Sequence, residues 1–267
     1  MSNLLKQKIE EREYPVGNWV SIGHPTVVEV NAMLGFDFVL IDTEHTTMSL
    51  ETVEHLVRAA EARNEETGSV VRVPDGDPTR IKRVLDIGVD GVMIPMVETA
   101  EEAERIVEST LYPPDGIRGI AGGRAAKYGL DFQRYVNTAN GSILKIAQIE
   151  TKTGLENVEE IAAVDGIDAL FIGPADLSGS LEKLGDYDAI KVHDAIDTVL
   201  DAGREHETPV GTLTLDNDRI ERRVEQGFDF QIVGKDAAHL SSSSEDAKDR
   251  YERAIAERTE LAQQSNK

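Results

Sequence analysis

Short apolar runs alternate with amphipathic segments along the whole chain. The runs Asn18–Ile22, Phe36–Ile41, Ser69–Val73, Gly91–Pro95, Ile143–Ile149, Ala169–Ile172, Pro209–Leu213 and Phe228–Val233 are brief and rich in Val, Ile and Phe. That is the pattern of parallel strands buried on both faces. Between them apolar residues recur at helical spacing: Leu50, Val53, Leu56, Val57 and Ala60 form one stripe, Ile81, Val84 and Leu85 a second, and Ala100, Ala103, Ile106 and Val107 a third. Strict strand-then-helix alternation predicts an all-parallel sheet. Eight such units close an α/β fold of the (β/α)8 TIM-barrel type, with an open doubly wound sheet as the alternative.

The rhythm breaks twice. Leu111–Gly129 holds Pro113, Pro114, Gly116, Gly119, Gly122 and Gly123, and loops of that length are functional lids or disordered segments. At the other end, Ser241–Ser244 reads as the cap of a helix running to about Gln264, with Ala247, Tyr251, Ala254 and Ile255 on one side. No linker divides the chain, and no internal repeat is evident beyond the βα alternation. Residues 1–267 are therefore expected to form a single barrel domain, with 241–267 as a C-terminal helical extension.

Composition narrows the partners. Fifty Asp and Glu against 28 Lys and Arg give a formal charge of −22, which repels phosphate backbones and anionic membranes, so neither nucleic acid nor a membrane is expected as a partner. The acid is scattered rather than gathered in a tail, which argues against a disordered acidic region, and adaptation to high salt is one explanation of the excess. With no Cys in the chain, disulfides, zinc–thiolate sites and thiol nucleophiles are excluded. Met1–Glu13 is polar, without the apolar core of a signal peptide, and no apolar run has the length of a membrane span. A cytoplasmic enzyme is the expectation.

In a (β/α)8 barrel the reacting groups sit where strands end and loops begin. The second strand ends in Asp42-Thr43-Glu44-His45, the third carries Arg72, the fifth ends Gln148-Ile149-Glu150, the sixth runs into Gly173-Pro174-Ala175-Asp176, and the eighth ends at Gly234-Lys235-Asp236. Residues two apart share a strand face, so Gln148 and Glu150 point together and Lys145 points away. Glu150 and Asp176 end neighbouring strands, about 4.8 Å apart. Two carboxylates that close repel unless a proton or cation lies between them. A hard divalent cation such as Mg²⁺ suits such a pair. Arg72 inside a Val-rich strand must be paired, with Asp42 or Asp86, or bind an anion. Asp176 could otherwise cap a helix, and Lys235 could otherwise bridge to Asp236.

At these positions the sequence resembles the HpcH/HpaI aldolases. The resemblance is carried by Phe38-Val39-Leu40-Ile41-Asp42-Thr43-Glu44-His45, Val92-Met93-Ile94-Pro95-Met96-Val97, Tyr112-Pro113-Pro114-Asp115-Gly116-Ile117-Arg118-Gly119 and Phe171-Ile172-Gly173-Pro174-Ala175-Asp176-Leu177-Ser178. It spans about residues 15 to 240. It implies a class II pyruvate aldolase that uses a divalent cation (Mg²⁺, Mn²⁺ or Co²⁺) to cleave a 2-keto-3-deoxy or 4-hydroxy-2-oxo acid to pyruvate and an aldehyde. It also implies a homo-hexamer, a trimer of dimers, with the C-terminal helix packed on a neighbouring subunit. By the same resemblance the metal falls on Glu150 and Asp176, Arg72 binds the pyruvate carboxylate, and His45 supported by Asp42 moves protons, with Asp86 holding His45 in place. Gln148, Gly173, Ala175 and Leu213 then line the substrate pocket.

Three features depart from that pattern. Ile120-Ala121-Gly122-Gly123-Arg124 is unusually Gly-rich, the loop around Leu184-Gly185-Asp186 is short and lacks a His-Pro pair, and Lys235 stands where relatives carry an apolar residue. All three are expected to border the aldehyde side of the pocket. Rival readings are a Schiff-base lyase using Lys235, an acyl-CoA lyase, and a non-catalytic oligomeric barrel; the buried set of Arg72, Glu150 and Asp176 argues against the last.

Overall fold

The computed structural model describes residues 3–64 and 66–265, side chains at 260 and 262–265 aside. Eight parallel strands, β1 Val16–Val20, β2 Phe38–Asp42, β3 Gly68–Arg72, β4 Gly91–Ile94, β5 Leu144–Ile149, β6 Ala169–Ile172, β7 Val210–Thr214 and β8 Phe230–Lys235, pair in sequence order, and β8 returns to β1 to close the barrel. The eight expected runs are these strands, with ends displaced by at most two residues. The helices are α1 Leu4–Glu10, α2 Pro25–Met33, α3 Leu50–Arg63, α4 Pro78–Leu85, α5 Ala100–Thr110, α6 Phe132–Ser142, α7 Lys152–Glu156, α8 Val158–Ala162, α9 Pro174–Ser180, α10 Ile190–Glu205, α11 Ile220–Gln226 and α12 Asp236–Ser265. Among the described residues no helix is long and apolar enough to cross a membrane.

Alternation along each strand creates two cores. Trp19, Phe38, Leu40, Val70, Met93, Ile146, Phe171, Phe230 and Ile232 fill the barrel interior. Their neighbours Val39, Ile41, Val71, Val92, Ala147 and Ile172 face the helices. Phe38 and Phe230 occupy the floor because Gly17 and Gly211 lie against their rings, where a Cβ would collide. Trp19 and Phe171 sit higher, with ring centroids 6.3 Å apart.

The expectation of no internal repeat is corrected by the structure. Gly35-Phe36-Asp37, Gly88-Val89-Asp90, Gly166-Ile167-Asp168 and Gly227-Phe228-Asp229 lead into β2, β4, β6 and β8. Each glycine takes a positive φ, +80°, +92°, +96° and +89°, a region open to Gly at little cost. Each aspartate then binds the start of the preceding strand twice. Its amide donates to the carbonyl of Val16, Ser69, Lys145 or Val210 at 2.8–3.0 Å. Its Oδ2 accepts from the amide of that same residue at 2.7–2.8 Å. The chain is thus a fourfold repeat of (βα)2 units.

The N-terminal segment closes the floor by meeting all four units. Asn3 Nδ2 donates to the Asp90 carbonyl at 2.6 Å, Lys6 pairs with Asp168 at 2.8 Å, Lys8 pairs with Asp37 at 2.7 Å, and Arg12 pairs with Asp229. Leu5 and Ile9 of α1 are buried below the inner core.

Residues 111–129 are held by buried Tyr112, Arg118 and Ala126, with most of the segment between them exposed. One further expectation is revised. Helix α12 begins at Asp236, directly after β8, so Ser241–Ser244 lies within it rather than capping it. Asp236 ties this start to β1: its carboxylate accepts from the Ser21 and Ile22 amides and the Ser21 hydroxyl at 2.6–2.9 Å. Beyond that point α12 leaves Leu240, Tyr251 and Ile255 exposed.

Replacing Asp168 tests the floor. Its partner Lys145 is 3% exposed, whereas the Asp37–Lys8 pair is about a quarter exposed. Stranding a buried ammonium costs about 3–5 kcal/mol, so Asp168→Ala is expected to lower the urea-denaturation stability by that order and Asp37→Ala by clearly less. Equal losses would mean that the shared strand-amide clamp, not the ion pair, carries the effect.

Candidate active site

The strand ends converge on a cavity of about 330 Å³ at the C-terminal mouth of the barrel. Asp42, His45, Arg72, Gln148, Gly173, Ala175, Asp176, Leu213 and Lys235 all line it. Glu150 lies just behind this lining, buried. Parity explains the set: Asp42 continues the inner column of Phe38 and Leu40, Arg72 that of Val70, and Gln148 and Glu150 that of Leu144 and Ile146. Lys145, on the other face at the floor, takes no part.

Asp42 organises one side. It accepts two hydrogen bonds from Arg72, Nε at 3.1 Å and Nη2 at 2.9 Å, one from the Trp19 indole at 3.3 Å, and others from the Glu44 and His45 amides. Burial works against the Asp42 charge, but the hydrogen bonds and charge of Arg72 outweigh it, and its pKa lies below the ordinary carboxylate value. Arg72 also approaches Glu44 at 2.8 Å, close though not aligned as a hydrogen bond, and stacks over Trp19 at 4.5 Å. The Arg72–Asp42 pairing seen as one option in the sequence is therefore present. Of five guanidinium N–H groups, these three contacts leave two for another acceptor. Burial raises the Glu44 pKa above its ordinary value, although Arg72 opposes this.

His45 is 64% exposed, and its Nε2 lies 3.7 Å from Glu44. Asp42 supports it through the backbone amide rather than the imidazole. The expected hold of Asp86 on His45 is not met within one chain. Asp86 caps the C-terminal end of α4 and pairs with Arg118 at 3.0 Å; helices run back from the mouth, which puts that end away from it.

Glu150 forms the opposite side. Its Oε1 accepts from the Met96 amide at 3.0 Å, and its Oε2 from Gln148 Nε2 at 2.5 Å. Gly173 makes the space: a Cβ there would lie 2.5 Å from Glu150 Oε2 and 2.7 Å from Gln148 Nε2. Burial pushes the Glu150 pKa up to about 7, the Met96 amide pulls it down, and the charges of Asp176 and Glu44 raise it further. A buried carboxylate facing a second one calls for a cation, and hard carboxylate oxygens suit a divalent one. Gln148 Oε1, buried without a partner, is a further unsatisfied oxygen here. Among the described residues no three His, Asp or Glu side chains cluster for a metal. A cation here would rest on Glu150 and Asp176, with water and substrate completing its shell.

Lys235 reaches the mouth against simple parity, which pairs it with Val233 on the outer face. Gly234, at φ +105°, sits where the β1–β8 register shifts between Gly17 and Trp19, and Lys235 comes to lie beside Trp19. Asp236 is engaged by β1, and Lys235 forms no ion pair with it. Sequence reasoning missed Trp19, Phe171, Tyr187, Arg219 and Arg223, which also line the cavity. Trp19 and Phe171 were hidden as ordinary apolar strand residues, and the arginines as ordinary helix charges.

Two outcomes follow. Gly173→Ala is expected to fold yet lose metal binding, measured by calorimetric titration, because the added Cβ displaces the Glu150 carboxylate. The second concerns pH. The folded Glu150 pKa lies above the ordinary 4.5, so ionising it weakens the metal-free fold as pH rises from about 4.5 through about 7, by up to about 3 kcal/mol. A bound cation offsets that cost. The rise in melting temperature on adding Mg²⁺ should then be larger at pH 8 than at pH 6, and a rise independent of pH would remove Glu150 from the metal.

Comparison with known proteins agrees with this geometry. Residues 16–243 match the family model described as HpcH/HpaI aldolase/citrate lyase. The chain is 39% identical over 258 residues to a 4-hydroxy-2-oxovalerate aldolase of Novosphingobium aromaticivorans, covering 95% of this chain and 96% of the relative. It is 34% identical to a 5-keto-4-deoxy-D-glucarate aldolase of Klebsiella pneumoniae, covering 94% and 97%. The crystal structure of an HpcH/HpaI aldolase/citrate lyase family protein from Burkholderia cenocepacia superposes with a TM-score of 0.91 at 36% identity, covering 94% of this chain and all of that one. The chain belongs to the HpcH/HpaI aldolase/citrate lyase family and is an enzyme, a metal-dependent aldolase of the lyase class.

Proposed function

We propose that the enzyme reversibly cleaves a 4-hydroxy-2-oxo or 2-keto-3-deoxy acid to pyruvate and an aldehyde. The observation that carries this is the buried Glu150, which feels the charge of exposed Asp176 at the end of the neighbouring strand, beside a guanidinium with two N–H groups to spare. The names of the relatives support it, since both substrates join a 2-oxo acid portion to an aldehyde portion.

Glu150 and Asp176 would hold the divalent cation, which supplies Lewis-acid stabilisation of negative charge next to the oxo group. Arg72, fixed by Asp42 and Trp19, offers its remaining N–H groups to the pyruvate carboxylate and sets its orientation. Gln148, held by Glu150, adds a side-chain contact at the oxo end. Ala175 lies in the first turn of α9, where amides have no intrahelical acceptor, and its N–H can meet the same end of the substrate. His45, exposed at the rim, moves the proton: in cleavage it accepts it from the C4 hydroxyl as the C3–C4 bond breaks, and the pyruvate C3 carbanion is then protonated. Leu213 and Phe171 supply the apolar wall.

Exchange of pyruvate's methyl protons with D₂O isolates the pyruvate half. Chelation of divalent metal, Glu150→Gln and Asp176→Asn are each expected to slow it by about 100-fold or more. His45→Ala should slow turnover by a similar order. Undiminished exchange after exhaustive chelation, or borohydride trapping of pyruvate on Lys235, would replace this reading with the Schiff-base one.

The apolar residues that α12 exposes suit a neighbouring subunit, and the proposed assembly is a homo-hexamer working in the cytoplasm. The charge of −22 fits a high-salt interior. Screening relieves such self-repulsion, so the melting temperature should rise from dilute to molar KCl, and a flat or falling trend would contradict adaptation to salt.

A further inference from the structure

The turn after β2 holds a carboxylate that has no part in the roles of Asp42, Arg72 and His45. Its backbone is fixed from several directions. Thr43 donates both its amide, at 3.0 Å, and its hydroxyl, at 2.7 Å, to the Arg72 carbonyl. The Glu44 and His45 amides donate to Asp42 Oδ1 at 3.1 and 3.3 Å, and the Thr46 hydroxyl donates to the Asp42 carbonyl. From this fixed turn the Glu44 side chain reaches the one guanidinium nitrogen that Asp42 leaves. Asp42 binds Nε and Nη2 of Arg72, and Glu44 Oε2 lies 2.8 Å from Nη1.

Two carboxylates on one guanidinium leave a negative charge in excess. Glu44 is only 17% exposed, and an uncompensated buried charge is costly unless a cation joins it. Burial works against the Glu44 charge, Asp42 and Asp176 add to that, and Arg72 and His45 oppose it. Glu44 Oε2 also has acceptor capacity left, being buried without an aligned hydrogen bond. The same oxygen lies 3.7 Å from His45 Nε2, and no other carboxylate pairs with that ring among the described residues. A neutral imidazole makes only a weak contact with a carboxylate at that distance. Once the ring has taken a proton, it can donate a charge-assisted hydrogen bond and supply the missing cation.

We propose that Glu44 is a positioning residue for both ends of the reaction, fixing Arg72 at Nη1 while holding the His45 ring and stabilising the proton it takes up. This rests on the reading of Arg72 as the carboxylate anchor and His45 as the base. Asp42, Arg72 and His45 line the cavity and Glu44 does not, so it acts through its two neighbours rather than on substrate. The two tasks differ in chemistry. Fixing Arg72 needs an acceptor oxygen, which an amide also has, whereas stabilising a protonated ring needs charge.

Exchange of pyruvate's methyl protons with D₂O, at saturating Mg²⁺, separates them. Glu44→Ala is expected to raise KM for pyruvate by about tenfold and to lower kcat by about tenfold or more. Glu44→Gln keeps the shape and one acceptor oxygen, so it should return KM to near the wild-type value and leave kcat down by about tenfold. In a His45→Ala background that kcat effect of Glu44→Gln should vanish, because the group it acts through is gone. Melting temperatures show whether each variant is folded, and Glu44→Gln carries the test if the alanine variant is not. Wild-type kcat and KM in Glu44→Gln, or a kcat loss that persists undiminished without His45, would overturn the role of Glu44. Wild-type exchange that is absent, or that His45→Ala leaves untouched, would instead remove the underlying reading of the site. Exchange that depends on His45 but not on the Glu44 charge removes Glu44 alone.

Discussion

Four aspartates hold the barrel in register, and everything at the mouth depends on that. Asp37, Asp90, Asp168 and Asp229 each bind both backbone groups of one residue at the start of the preceding strand. In a strand a one-residue slip turns every inward side chain outward. Fixing the starts of four strand pairs therefore fixes which residues emerge, a few residues later, facing the cavity. The segment from Asn3 to Arg12 adds a contact to each aspartate in turn. Three of the four carboxylates that pin the strands are thereby neutralised by one short stretch of chain, Asn3 meeting only the Asp90 backbone carbonyl, and the floor is sealed with apolar Leu5 and Ile9.

At the mouth the same chain arranges charge in the opposite spirit. On the β2–β3 side, Asp42 and Arg72 neutralise one another, and the pair is rigid because Trp19 both stacks on the guanidinium and donates to the carboxylate. On the β5–β6 side two carboxylates, buried Glu150 and exposed Asp176, are left within reach of each other's charge. That is a local instability of the metal-free fold, visible in the raised Glu150 pKa. It is tolerated because Gly173 and the Met96 amide fix the carboxylate where a cation can collect it. Rigidity on one side and unmet charge on the other are both needed if a small keto acid is to be held in a single orientation.

Much of this was legible in the sequence. Apolar runs gave the strands to within two residues, since doubly buried parallel strands have little choice of composition. Parity put Gln148 and Glu150 on one face and Lys145 on the other, because nothing interrupts β5. The same rule fails at Lys235, since Gly234 and the register shift against β1 turn the strand end inward, and a bulge has no periodic signature. The fourfold repeat was overlooked because its Gly-x-Asp core falls at or ahead of the strand starts, where an eye trained on apolar runs sees only connectors. Arg223 was invisible for a different reason. A charged residue in a short polar helix reads as solvent-facing, and only the fold shows that α11 turns it inward. The start of α12 was misplaced because Asp236 stays with β8 in sequence while binding β1 in space.

The division of labour around the barrel has a consequence for specificity. The groups proposed to handle the pyruvate half come from the ends of β2, β3, β5 and β6, whereas Leu213, Arg223 and Lys235 belong to β7, α11 and β8. Two relatives are named for different substrates, 4-hydroxy-2-oxovalerate in one and 5-keto-4-deoxy-D-glucarate in the other. A barrel permits that variation because each βα unit presents its own loop and helix to the mouth, while strand register is fixed from the floor. Charge can then be exchanged for apolar surface at the end of β8 without disturbing Glu150 at the end of β5, three strand positions around the ring. Lys235 at the end of β8 therefore lies where a substitution disturbs the β5–β6 carboxylates least.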